Sequence, residues 1–149
     1  MKKPEYTWDP GLGFASCTLY YKNLEFYGSA HCHRDDEDMM SKLTGQTIAE
    51  ARATIQYLAH IRDNEVRPQL KSLYQLYYSM KHSSKFNPKS YESIMLYRQI
   101  HHLEKDLDAV NKEIANIKQM LKEYIEQKEK DHQKIREYHS KKQLDENNQ

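Results

Sequence analysis

Branched aliphatic residues are scarce in this chain. Leu, Ile, Val and Phe number 27 of 149 residues, about 18%, with only two valines. So low a fraction marks disordered chains when net charge is also high. Here 23 basic and 22 acidic residues nearly cancel, so that condition fails. One large globular core is excluded all the same. No run of about 18 apolar residues exists, which excludes a conventional transmembrane helix. Two cysteines, Cys17 and Cys32, are too few for a disulfide framework. The opening Met1-Lys2-Lys3-Pro4-Glu5 has no apolar signal-peptide stretch. We therefore expect a cytoplasmic protein with reduced thiols. The small net charge argues against a polyanion binder along the whole chain and says little of local patches.

What the chain does have is 12 Tyr and 6 Met, which add apolar area that the aliphatic count misses. Narrow helix seams suit such a composition. Residues 1–13, with Pro4, Pro10, Gly11 and Gly13, read as an extended lead-in. In that stretch Trp8 packs onto the sheet or a helix, or else anchors a partner. Phe14–Tyr21 and Leu24–Ala30 are rich in β-formers, and Lys22-Asn23 between them suits a tight turn because Asn tolerates positive φ. A β-hairpin over about 14–31 follows. A lone hairpin is marginal and must pack on a helix or pair with another chain.

Beyond an acidic stretch at Asp35–Asp38, Thr44-Gly45 interrupts the chain, and Thr47 with Glu50 has capping-box spacing. A helical stretch is expected from about Thr47 to Met80. One stripe carries Ile48, Ala51, Ile55, Leu58 and Ala59, and Val66, Leu70, Leu73, Tyr77 and Met80 continue it. Pro68 kinks this helix or starts a new one. Residues 81–89 form a loop and Ser90 caps the last helix. There, Ile100, Leu107, Ile114, Leu121, Lys128 and Ile135 make one heptad register, and Leu103, Val110, Ile117, Tyr124, Asp131 and Tyr138 the other. The apolar repeat holds from Ile100 to Tyr124, then weakens. At about 1.5 Å per residue this helix reaches roughly 75 Å and outruns the 47–80 helix. The overhang, about 125–142, is where a second chain, as in a homodimer, or another protein could dock. Residues 143–149 are expected to fray.

The expected fold is therefore α+β and mostly helical. It comprises an extended lead-in at 1–13, a β-hairpin plus helix unit at 14–58, an antiparallel helical hairpin or coiled coil at 59–142, and a frayed tail at 143–149.

His31-Cys32-His33 is the densest set of metal-ligating side chains. Imidazole and thiolate suit zinc, which takes four such ligands in a closed site. However, a Lys22-Asn23 turn sets Cys17 opposite Gly28 rather than Cys32, and strand alternation separates Cys32 from His31 and His33. A polar strand end leading into a helix is the simpler reading; zinc through Cys32, His31 or His33 is the alternative. No other cofactor is expected. His101-His102 reads as a solvated helix pair. No G-x-S-x-G, phosphate loop or H-E-x-x-H occurs. Cys17 or Cys32 with a histidine could form a nucleophile pair, but a narrow helical protein has few pockets in which to desolvate it. We expect no enzyme and assign no catalytic, cofactor or metal residue. Lys81, Lys85 and Lys89 cluster on the loop, and many lysines populate the last helix. There Glu123, Glu126, Glu129, Asp131 and Glu137 are interleaved, as on a solvated helix face.

The run Gly28-Ser29-Ala30, Asp35-Asp36, Thr44-Gly45 and Ile48-Ala49-Glu50-Ala51-Arg52-Ala53 resembles uncharacterised small proteins of Gram-positive phages and mobile elements. Residues 28–53 are also similar to an actinobacterial domain of unknown function with a fold like the double-stranded-RNA-binding domain. The resemblance covers about residues 14–58 and implies a hairpin packed on the helix that follows. RNA binding does not carry over, because Asp35–Asp38 stand where an RNA binder has a basic helix start. As packing, Gly28 and Ala30 permit close approach of strand and helix. Ala49, Ala51 and Ala53 give a narrow helix face, and Arg52 could pair with the acidic run. Together these readings favour a non-catalytic protein-interaction protein. The resemblance implies an inhibitor of a host defence machine, such as a CRISPR effector nuclease. A nucleic-acid-binding accessory protein and a self-assembling coiled coil are the alternatives.

Overall fold

The computed structural model describes residues 2–31 and 41–148. It is α+β and mostly helical: strands β1 (Glu5–Asp9), β2 (Phe14–Tyr21) and β3 (Leu24–His31) precede helices α1 (Lys42–Ile61), α2 (Arg67–Lys81) and α3 (Tyr91–Asn147). The fold divides into two compact units, 1–56 with 117–149, and 57–116.

In the first unit the sheet is antiparallel in the order β1-β2-β3. The hairpin turns at Lys22-Asn23, with Tyr21 opposite Leu24 and Cys17 opposite Gly28, as the β-former pattern predicts. The left-handed residue is Lys22 (φ 49°), not Asn23. The lead-in differs from expectation. Residues 5–9 form a third strand, Trp8 opposite Ala15, because a two-stranded ribbon leaves the first edge of β2 unpaired and Glu5–Asp9 fills it. Asp9 Oδ1 then accepts from the Gly11 and Leu12 N–H groups at 2.9 and 3.2 Å, closing the β1–β2 connection.

Paired positions share a sheet face. On one face Cys17 packs with Ala49 and Ala53 of α1. A β-carbon on Gly28 would lie 2.1 Å from the Ala49 carbonyl oxygen, so only glycine lets β3 sit against that helix. Ala30 and Ile48 form a second cluster joined by Trp8, Leu121, Tyr124 and Ile125. Thus Trp8 is a packing residue. The Leu121–Ile125 stretch of α3 also belongs to the sheet unit, which corrects the expectation of a free overhang starting near residue 125. A helix seam and a sheet face demand the same apolar spacing, so periodicity could not separate them.

Helix α1 starts earlier than Thr47. Ser41 caps it, its Oγ accepting the Thr44 N–H at 3.1 Å. Thr44 and Gly45 lie inside the helix, and the Thr47 hydroxyl donates back to the Leu43 carbonyl at 2.7 Å instead of capping. Arg52 Nη1 donates to the Ser29 carbonyl at 2.7 Å; the acidic run at 35–38 lies outside the described residues.

The second unit contains the turn at Pro68. Arg62–Val66 form one π-helical turn, and the Arg67 N–H reaches back five residues to the Arg62 carbonyl. Proline has no N–H and its ring crowds the carbonyl four residues back. Widening by one residue before Pro68 lets α2 begin afresh. Asp63 holds both Arg62 and Arg67, at 2.9 and 2.8 Å. Leu70, Leu96 and Ile100 form the core of the α2–α3 hairpin, with Leu73, Tyr77, Met80, Leu103 and Leu107 against them. Ser90 caps α3, accepting from the Ser93 N–H at 3.3 Å. Helix α3 continues through residues 143–147, set apart in the sequence as a frayed tail. No Gly or Pro interrupts it, so nothing local ends it earlier.

Candidate interaction surface

Two helices packed along one seam cover only one stripe of each. In the second unit that seam is the Leu70–Leu96–Ile100 cluster. On one flank the hairpin opens into a groove of about 880 Å³, lined by Pro68, Ser72 and Leu73 of α2 and Met95, His102 and Leu103 of α3, among others. Leu73 and Leu103 are half-buried members of the seam that still reach this groove. His102 Nε2 lies 3.7 Å from Asp106 Oδ2 at its border. Leu76 is exposed one turn beyond Ser72 and Leu73. On α2 and α3 the Tyr74 hydroxyl also donates to Glu104 at 2.6 Å. That hydrogen bond, then burial, raises the Tyr74 phenol above its usual value. Asp63 is held below the usual carboxylate range, first by its hydrogen bond from Arg62.

Of the candidate ligands of the sequence, His31 is exposed at the end of β3, and Cys32 and His33 lie outside the described residues. Among the described residues no group of three His, Cys, Asp or Glu is gathered to hold a metal ion. Cys17 is fully buried. Burial first, then the charge of Glu50, pushes its thiol up, so it stays protonated and a poor nucleophile. His101 stacks on Tyr97 with ring centroids 6.2 Å apart. In the first unit, Thr47, Ala51, Ile117, Met120, Leu121 and Tyr124 line a smaller apolar hollow of about 200 Å³.

Sequence reasoning missed the groove, because Leu73 and Leu103 read as seam residues and seams read as closed. It also missed His132, which is 8% exposed with no hydrogen-bond partner at Nε2 among the described residues. The heptad placed Asp131 at the seam instead. No helix among the described residues is long and apolar enough to cross a membrane. Comparison with family models, curated proteins and solved structures finds no match.

Proposed function

We propose that this chain is a non-catalytic protein-interaction protein whose partner docks on the α2–α3 hairpin. The observation that supports this is the groove flanking the seam, which is largely apolar yet uncovered. A groove between two packed helices can take an amphipathic helix as a third member. The lining holds few charges, so shape and apolar contact select the occupant. Taken with the resemblance at residues 28–53, the partner class is a host defence machine that the chain blocks by binding, as an anti-CRISPR protein does.

The test is affinity capture of the tagged full chain from its native host, with partners identified by mass spectrometry. Wild type is expected to retain a protein that Ser72→Arg loses, since the substitution sets a long charged side chain into the groove. Equal capture by both forms, with helix content unchanged, overturns the groove as the docking face. Light scattering of the purified chain addresses the self-assembling alternative. A mass that doubles with concentration and reverts in Ser72→Arg would make the occupant a second copy.

A further inference from the structure

The end of the α2–α3 hairpin has a different chemistry from its flank. From Tyr77 to Arg98 four basic residues (Lys81, Lys85, Lys89 and Arg98) face one acid, Glu92. The segment therefore carries +3 in a chain whose total is +1. Among the described residues none of these four cations has an ion-pair partner, whereas Arg62 and Arg67 at the other end of α2 share Asp63. Aromatic rings are interleaved with the charges. Tyr78, Tyr91 and Tyr97 are 66%, 73% and 61% exposed.

At this end a hollow of about 330 Å³ is lined by Tyr77, Phe86, Pro88, Ile94, Tyr97 and Arg98. Tyr77 and Phe86 meet edge to face at 6.3 Å, which fixes the wall. A neighbouring hollow shares Phe86 and Ser93 and brings in Lys85 together with Glu92. Free cations beside an aromatic-lined slot recognise a ligand that alternates negative charge with flat π faces. Single-stranded nucleic acid is such a ligand: phosphates track the cations and bases stack on the rings. In a duplex the base faces are hidden, so the rings would have nothing to stack on. An acidic peptide would satisfy the lysines and leave the slot empty.

We propose that this hairpin end binds single-stranded nucleic acid without sequence preference, with Lys81, Lys85 and Lys89 on phosphates and a base held against Tyr97. This goes beyond the protein-docking reading; the two sites adjoin and share Arg98, but Lys81, Lys85, Lys89 and Tyr97 line no part of the groove.

Fluorescence anisotropy on the full chain tests it, with a labelled oligouridylate of about 20 nucleotides, the matching RNA duplex and a polyglutamate peptide as probes. The single strand is expected to bind most tightly, with affinity falling as salt rises. Lys85→Ser with Lys89→Ser should lower the slope of log affinity against log salt by about 1.4. Tyr97→Leu should weaken binding about tenfold, and Tyr97→Phe, which keeps the ring, should restore it. Circular dichroism confirms that each variant folds. Ser72→Arg should not weaken strand binding, which separates failure here from failure of the groove. No strand binding at low salt overturns the proposal. So does equal binding of duplex and single strand that ignores Tyr97, or tighter binding of polyglutamate, which would reassign the patch to an acidic protein segment.

Discussion

Gly28 and Ala49 meet without room for a single further carbon. A β-carbon on the glycine would lie 2.1 Å from the Ala49 carbonyl oxygen and 2.4 Å from the Ala53 amide nitrogen. Both are backbone atoms, so no side-chain rotation relieves the clash. Gly28→Ala is expected to destabilise the sheet unit by about 3 kcal/mol, far more than the few tenths gained from a less flexible unfolded chain. Chemical denaturation followed by circular dichroism measures it. An unchanged midpoint would mean that β3 and α1 are not in backbone contact.

Ile100 and Ile135 share a heptad register, but the apolar repeat weakens between them, and their burial differs accordingly. Ile100 is 6% exposed within the hairpin core, whereas Ile135 is 53% exposed on α3. Ile100→Ala should cost about 3 kcal/mol, and Ile135→Ala less than about 0.5 kcal/mol. Urea denaturation of the two variants checks the ratio. Equal losses would restore a continuous seam to residue 135.

Much of this architecture was legible in the sequence, and the parts that were not share a cause. The Lys22-Asn23 turn, the Gly28–Ala53 packing motif and the apolar positions of the hairpin core are local patterns. Strand β1 was not legible, because Pro4 and Pro10 mask five ordinary residues that become a strand only by finding the edge of β2. The assignment of Leu121, Tyr124 and Ile125 to the sheet unit is likewise tertiary, since spacing does not say what lies across the seam. Of the candidate surface, the loop lysines were visible early. The groove was not, because exposure of Leu73 and Leu103 depends on how wide the helix pair stands.

Cys17 should behave as an inert thiol. Its pKa is raised in the fold, so the folded state holds the proton more tightly than the unfolded one. The resulting stabilisation is fully present below the ordinary thiol range, and is lost as pH climbs through the raised value. In a Cys32→Ser background, labelling of Cys17 by an aromatic disulfide reagent at pH 8 should be slow and should track unfolding in denaturant. Rapid labelling of the native protein would show the thiol to be accessible.

His132 buries an imidazole nitrogen that has no partner among the described residues. Replacing an unsatisfied buried polar group by an apolar one of similar shape is neutral or stabilising. His132→Phe is therefore expected to leave the thermal midpoint unchanged or raise it by a few degrees. A fall of more than about 4 °C would reveal a hydrogen bond that the ring makes.

The docking face is tested most directly by amide hydrogen exchange of the full chain, free and bound to the protein it captures from its host. Slowed exchange is expected within residues 68–76 of α2 and 95–103 of α3, which flank the groove. Protection confined to the sheet unit, with the hairpin amides unchanged, would contradict docking on the α2–α3 hairpin.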